Sequence, residues 1–142
     1  MFSWEVNAVE VAKSNPEAVW NVYKDVSNWP SWDEELTWSR LDGKFAEGTK
    51  GTLKPKGWFA SDFTILEIVP NEAHSDVTHM PFTTLVFSHK LKKISETHVQ
   101  ITHHVKVSGL LAPLLALTMR FQFKKSVPKA LKNLVKKVEK LA

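Results

Sequence analysis

Residues 109–142 read GLLAPLLALTMRFQFKKSVPKALKNLVKKVEKLA, and this segment decides the fold. Its first half is apolar nearly all round, whereas its second half has the amphipathic, lysine-rich pattern of a helix. A short capped helix and a long region of strand-like alternation precede it. A single antiparallel sheet has one face to bury, and the terminal helix is the only element long enough to cover that face. The pattern therefore predicts an α+β domain in which a curved sheet grips one long helix, with a space between them.

Length and composition indicate one globular domain. With 142 residues, of which 43% are hydrophobic and 24% charged, the chain is expected to form a single domain, residues 1–142, around its own core. It contains no cysteine, which excludes disulfides, thiol catalysis and thiolate metal sites. We see neither a signal-peptide pattern nor an apolar run long enough to span a bilayer, so a cytoplasmic protein is expected.

The excess positive charge is concentrated in the terminal segment. The net charge is +4. The lysines of this segment are Lys124, Lys125, Lys129, Lys132, Lys136, Lys137 and Lys140. The opposite face of the same predicted helix carries Val127, Leu131, Leu134, Val138 and Leu141. Because the solvated face of an amphipathic helix accounts for these lysines, we expect no nucleic-acid partner.

The central part of the chain alternates like an antiparallel sheet. Strands are predicted at residues 2–12, 35–42, 48–55, 60–69, 73–80, 83–93 and 97–107. Turn signals such as Asp42-Gly43, Pro55-Lys56-Gly57 and Pro70-Asn71 separate them. The gaps between the later strands are too short for crossover helices, so about seven antiparallel strands are expected.

Helices are predicted after the first strand and after the last. Ser14 is expected to cap the first helix, with Pro16 in its first turn and a glutamate three residues after the cap, as a capping box requires. A turn or a second short helix follows at residues 28–32. The terminal helix is expected to begin near Leu110, and Pro128 is expected to kink or interrupt it.

Scattered positions of this chain resemble a known family. They are Pro16-Glu17-Ala18-Val19-Trp20, Asp25, Trp29-Pro30-Ser31-Trp32-Asp33, Gly48-Thr49, Glu67 followed by Pro70, and Val127-Pro128-Lys129-Ala130-Leu131. In them the chain resembles polyketide cyclase/dehydrase-like proteins of the START/birch-pollen-allergen superfamily, also called SRPBCC, over essentially its whole length. The resemblance implies a helix-grip fold: a seven-stranded antiparallel sheet wrapped around a long C-terminal helix, two short helices after the first strand, and a hydrophobic cavity. Relatives bind lipids, polyketides, quinones or plant hormones, and some catalyse aromatic cyclisation or dehydration.

Two histidines in the late hairpin are candidate catalytic residues. His89 shares an inward row with Leu85 and Phe87, and His103 shares one with Ile101. The hairpin turn places the two histidines opposite or diagonal to each other, about 5–8 Å apart at Cβ. Since imidazole titrates near neutrality, His89 and His103 are candidates for a general acid and base. The alternative is that both are partly buried polar groups bonded to backbone, water or each other.

Neither a metal nor another cofactor is expected from the sequence. The two histidines supply two ligands, and spacing fixes no third one. His74, Asp76 and His79 lie on a strand without a clear inward row, so their orientation stays open.

Large aromatic residues favour a cavity for a flat or aliphatic ligand. The chain has six tryptophans and eight phenylalanines, and Trp58-Phe59 stands at a turn, where an aromatic pair is unusual for a core. Glu67 either faces the cavity or lies on a strand that buries Leu66 and Ile68 instead. The expected ligand-binding residues are Trp38, Trp58, Phe59, Phe63, Glu67, Leu85, Phe87, His89, Ile101, His103, Leu114, Thr118 and Phe121.

Three functions are compatible with these features. The first is the binding of a small hydrophobic molecule, of lipid, polyketide or aromatic type, in a central cavity. The second is a polyketide cyclase or dehydratase that uses the cavity histidines. The third is an interaction module that presents the apolar helix or Trp58-Phe59 to a membrane surface or a protein. Since no nucleophile paired with a base is found, binding is favoured over catalysis. The protein is expected to be a monomer or a homodimer.

Overall fold

The computed structural model of the protein describes residues 2–141. The elements are, in chain order, β1 (Ser3–Ala12), α1 (Pro16–Lys24), a 3₁₀ helix (Val26–Ser31), β2 (Leu36–Leu41), β3 (Lys50–Pro55), β4 (Ser61–Val69), β5 (Ala73–Met80), β6 (Thr83–Lys93), β7 (Val99–Gly109), α2 (Ala112–Ala116) and α3 (Met119–Lys140). The bounds of the predicted strands differ from these by two residues or fewer.

The seven strands form one antiparallel sheet in the order β1-β7-β6-β5-β4-β3-β2. Strands β2 to β7 are each paired with their neighbour in sequence, because only short turns connect them. The connection from β1 to β2 crosses from one edge of the sheet to the other and contains α1 and the 3₁₀ helix. Helix α3 packs against β1 and β7. The predicted helix-grip architecture, with two short helices after the first strand, is therefore confirmed.

The first helix is capped one residue later than predicted. Asn15 has an extended backbone, and its Oδ1 accepts a hydrogen bond from the backbone N–H of Ala18 at 2.9 Å. Pro16 is consequently the first helical residue, where its missing N–H is tolerated. Ser14 is buried and lies before the cap, so the predicted capping box was wrong.

The terminal segment is divided at a different place from the one predicted. Helix α3 runs through Pro128 without interruption, whereas the break lies at Leu117 and Thr118, between α2 and α3. Thr118 has a non-helical backbone, with φ −121° and ψ −69°. Pro128 removes the hydrogen bond to the carbonyl of Lys124, and this residue is exposed, so water can hydrate that carbonyl instead. The prediction of an interruption at Pro128 was wrong for this reason.

Buried residues form two clusters between the sheet and the helices that pack on it. The larger joins α1 and the 3₁₀ helix to the C-terminal half of α3, which contributes Leu131, Leu134 and Val138. The smaller joins Trp4 and Val107 to α2 and the N-terminal half of α3. Part of the terminal segment remains uncovered: its exposed large apolar side chains are Leu110, Leu114, Leu117, Phe121 and Leu141. Among the residues that the structure describes, no helix is both long and apolar enough to cross a membrane.

Candidate functional site

A cavity of about 380 Å³ lies between the sheet and α3. Its walls carry residues from both core clusters. The apolar lining includes Trp29, Trp32, Leu53, Met80, Leu85, Phe87, Val105, Leu115, Met119, Phe123, Val127 and Ala130. The exposed lining residues Lys56, Trp58 and Thr118 mark the open side of the cavity. This volume is within the range of pockets that hold small molecules.

Three histidines lie side by side on the sheet wall of the cavity. Strand register pairs His74 of β5 with His89 of β6, and His89 with His103 of β7. The rings of His74 and His89 are stacked, with centroids 4.1 Å apart, and the rings of His89 and His103 are 4.7 Å apart. The predicted pairing of His89 with His103 is confirmed by this register, and His74 extends it by one strand.

Two further polar side chains complete this group. Asp76 follows His74 by two residues, so both side chains point to the same face of β5, and Asp76 is also buried. Tyr23, from α1, is fully buried, and its hydroxyl shares a hydrogen bond of 2.8 Å with Nε2 of His103. We call His74, Asp76, His89, His103 and Tyr23 the polar cluster.

Burial suppresses charge throughout the polar cluster. It lowers the pKa of His74 and of His103 well below 6.5, and the neighbouring histidines lower both further. It lowers the pKa of His89 to about 4, which a hydrogen bond to the backbone of His74 partly offsets. It raises the pKa of Asp76 to about 7 and that of Tyr23 well above 10. The histidines are therefore uncharged near neutral pH, and Asp76 is balanced between its two forms.

A second carboxyl group, the half-buried Asp33, lies elsewhere on the cavity wall. Asp33 follows the 3₁₀ helix, and its Oδ1 accepts a hydrogen bond from the backbone N–H of Glu35 at 3.1 Å. Burial raises the pKa of Asp33 to about 6, although this hydrogen bond opposes the change. Gln122 of α3 donates to Glu35 at 3.2 Å and so ties the helix to this edge of the cavity.

The structure brings only part of the predicted ligand-binding set to the cavity. The lining residues among them are Trp58, Leu85, Phe87, His89, His103 and Thr118. The residues placed elsewhere are Trp38, Phe59, Phe63, Glu67, Ile101, Leu114 and Phe121. Phe63 and Ile101 are buried in the larger core cluster, and a β-bulge between Ile65 and Glu67 leaves Glu67 exposed. The remaining four side chains are exposed to solvent.

Several residues at and beside the cavity were missed in the sequence. Tyr23 is not part of the cavity lining, and nothing in the sequence indicated a partner for its hydroxyl. His74, Asp76 and Thr78 alternate on β5 and are all buried, although their polarity is typical of an outer row. The strand register with β6 is the signal that would have found them, because it places His74 opposite His89.

The seven-stranded sheet, the long helix α3 and the cavity between them define a helix-grip protein of the START/SRPBCC class. The chain belongs to the family described as "Polyketide cyclase / dehydrase and lipid transport", whose model matches residues 3–139. No curated protein matches the chain.

Solved structures with this fold include two that are named as enzymes and one that is described as a conserved protein. The Zhui aromatase/cyclase from Streptomyces sp. R1128 aligns with a TM-score of 0.81 and 9% identity, covering 98% of this chain and 95% of its own. Norcoclaurine synthase from Thalictrum flavum aligns with a TM-score of 0.73 and 10% identity, covering 99% and 86%. A conserved protein from Geobacillus kaustophilus aligns with a TM-score of 0.73 and 17% identity, covering 96% of each chain. At these identities the similarity shows the fold alone.

Proposed function

We propose that the protein binds a small, largely apolar molecule in its cavity, with one polar group of that molecule directed at the polar cluster. The observation that carries this proposal is that one cavity combines mostly apolar walls with a small group of polar side chains on the sheet side. Aromatic and aliphatic walls stabilise an apolar ligand by about 25 cal/mol for each Å² that they remove from water. A few buried polar side chains on one wall then select the orientation of the ligand.

The proposed ligand class also agrees with the family, whose description includes lipid transport. A cavity of about 380 Å³ suits an aromatic molecule or a short aliphatic chain better than a complete two-chain lipid. A single functional group that accepts or donates hydrogen bonds would satisfy polar atoms that are otherwise desolvated.

Native mass spectrometry of untagged, freshly purified protein tests the binding function. We expect a species heavier than the bare chain by the mass of one small molecule. After solvent extraction, the protein should take up one equivalent of a hydrophobic fluorophore such as anilinonaphthalene sulfonate, and the extracted compound should displace it. The absence of both a co-purified compound and saturable fluorophore uptake would contradict the proposal.

Acid–base catalysis on the bound molecule is the second candidate function. The observation that favours it is the hydrogen bond between the hydroxyl of Tyr23 and Nε2 of His103 in the polar cluster. Such a pair can pass a proton to or from a ligand held against it. Two of the structural relatives are named as a cyclase and a synthase, which supports this class of function without identifying the substrate.

Replacing His103 by glutamine tests whether the protein catalyses an acid–base reaction. Once a compound from the cavity is identified, His103→Gln should lower its turnover by about 10²-fold or more, because a positioned acid or base contributes that much. His79→Gln is the matched control, since His79 is exposed on β5 and is not among the residues that line the cavity. Equal turnover in the two variants would leave binding as the function.

A further inference from the structure

The polar cluster contains three side chains with the chemistry of a metal site. His74 and Asp76 lie on β5, and His89 is the cross-strand partner of His74 on β6. One ligand atom from each of these side chains lies within 4.8 Å of those from the other two. Ligands at 2.0–2.2 Å from one ion in a tetrahedral arrangement are about 3.3–3.6 Å apart. To share an ion, the three groups need to approach by up to about 1.5 Å, and the nearly parallel rings of His74 and His89 need to turn so that their nitrogen atoms point at the same position.

Two of these groups lack ordinary partners in the protein. Nε2 of His74 is buried and has no hydrogen-bond partner within residues 2–141. Asp76 is 3% exposed, and none of the salt bridges in the described part of the chain includes it. A buried polar atom without a partner costs about 1–3 kcal/mol, and a buried carboxylate is normally paired or bound to a metal. A cation that binds both an imidazole nitrogen and a carboxylate oxygen would satisfy these two groups together.

We propose that His74, Asp76 and His89 bind a divalent transition-metal ion, with Zn²⁺ or Fe²⁺ as the class that fits the ligands. Two imidazoles and one carboxylate on one face of an ion leave its other coordination positions open, as in catalytic sites. Calcium and magnesium are disfavoured, because they prefer oxygen ligands throughout.

The open positions of this ion would face the cavity. All three proposed ligands line it, and they stand on the sheet wall opposite α3. Water or an oxygen atom of a bound molecule can occupy these positions. His103 and Tyr23 lie beside the proposed ligands, with the His103 ring 4.7 Å from that of His89, and are not needed to hold the ion. Of the two ligands that spacing indicated, His89 and His103, only His89 belongs to this set, whereas His74 and Asp76 come from β5.

The proposal concerns metal binding and does not depend on the ligand of the cavity. Untagged protein is treated with a chelator, exchanged into metal-free buffer and titrated with ZnCl₂ by calorimetry, with metal content checked by mass spectrometry. We expect one Zn²⁺ per chain and a rise in melting temperature, because the ion binds only the folded state. Uptake well below one equivalent would overturn the proposal.

Two variants and one matched control test the assignment of the ligands. Asp76→Asn and His89→Gln should each weaken Zn²⁺ binding by at least about tenfold, since loss of even an indirect partner of a metal ligand has this effect. His79→Gln should not change the affinity, because His79 is on the same strand as His74 and Asp76 but is exposed. Equal affinities in all three variants would indicate adventitious surface binding and overturn the assignment.

X-ray absorption spectroscopy of the zinc form tests the site without any substitution. The expected spectrum has scattering from two imidazole rings and from oxygen ligands at about 2.0–2.1 Å. A coordination shell without two imidazoles would overturn the proposal even if the variants fail to fold. Fluorophore uptake by the metal-free protein is measured in parallel, so that failure of this proposal and failure of the binding function are distinguished.

Discussion

Replacing Leu134 by alanine is expected to lower the free energy of unfolding by about 2–5 kcal/mol. Leu134 is fully buried in the larger core cluster, where α3 meets the sheet and the short helices. Its truncation removes apolar contacts and leaves a void that the surrounding packed side chains fill only partly. Urea unfolding followed by circular dichroism measures the change.

Leu141→Ala provides the matched control for this prediction. Leu141 directly follows α3 and is 65% exposed, so its truncation should change the stability by no more than about 0.5 kcal/mol. The difference between the two losses of unfolding free energy measures how much the packing of the C-terminal half of α3 stabilises the fold. Similar small losses in both would mean that this half of α3 does not hold the fold together.

The fold was predictable because its signals are local. Alternation with a period of two, short turns and one long amphipathic segment each leave a direct trace in the sequence. The short turns then restrict the sheet to antiparallel pairing. The long terminal helix can cover only the one face of the sheet that has to be buried. These steps need no knowledge of individual side-chain contacts.

The details that were wrong depend on small energies. Asn15 and Ser14 are both good caps, and the choice between them depends on where the chain leaves β1. The break at Leu117 and Thr118 has no glycine or proline, whereas Pro128, a strong breaker, is accommodated within α3. Tertiary packing decides both the cap of α1 and the position of the break between α2 and α3, whereas local propensity only limits the residues at which each can occur.

The site was only partly predictable, because buried polar residues look like exposed ones in a sequence. His89 and His103 were found through the apolar residues that alternate with them. On β5, the inward row carries the polar residues His74, Asp76 and Thr78 and is apolar only at Met80, so the periodicity gives no hint of its burial. A cavity relaxes the rule that inward residues are apolar, since its walls need not pack against other side chains.

Replacing Ala130 by phenylalanine is expected to weaken ligand binding by at least about tenfold, which corresponds to about 1.4 kcal/mol. Ala130 lies on α3 and lines the cavity, so the added ring occupies space that a ligand needs. Since the ring enters existing space, the variant should fold. Titration with the extracted compound or with anilinonaphthalene sulfonate measures the affinity, and thermal unfolding verifies the fold.

Lys136→Phe places the same ring on the exposed face of the same helix and controls for added aromatic surface. This variant should bind the ligand with the affinity of the original protein. The comparison matters because exposed side chains such as Leu117 and Phe121 could themselves attract a hydrophobic probe. If Ala130→Phe and Lys136→Phe bind equally well, the ligand lies on that outer apolar surface and the cavity is not its binding site. A loss confined to Ala130→Phe places the ligand between the sheet and α3, against the polar cluster.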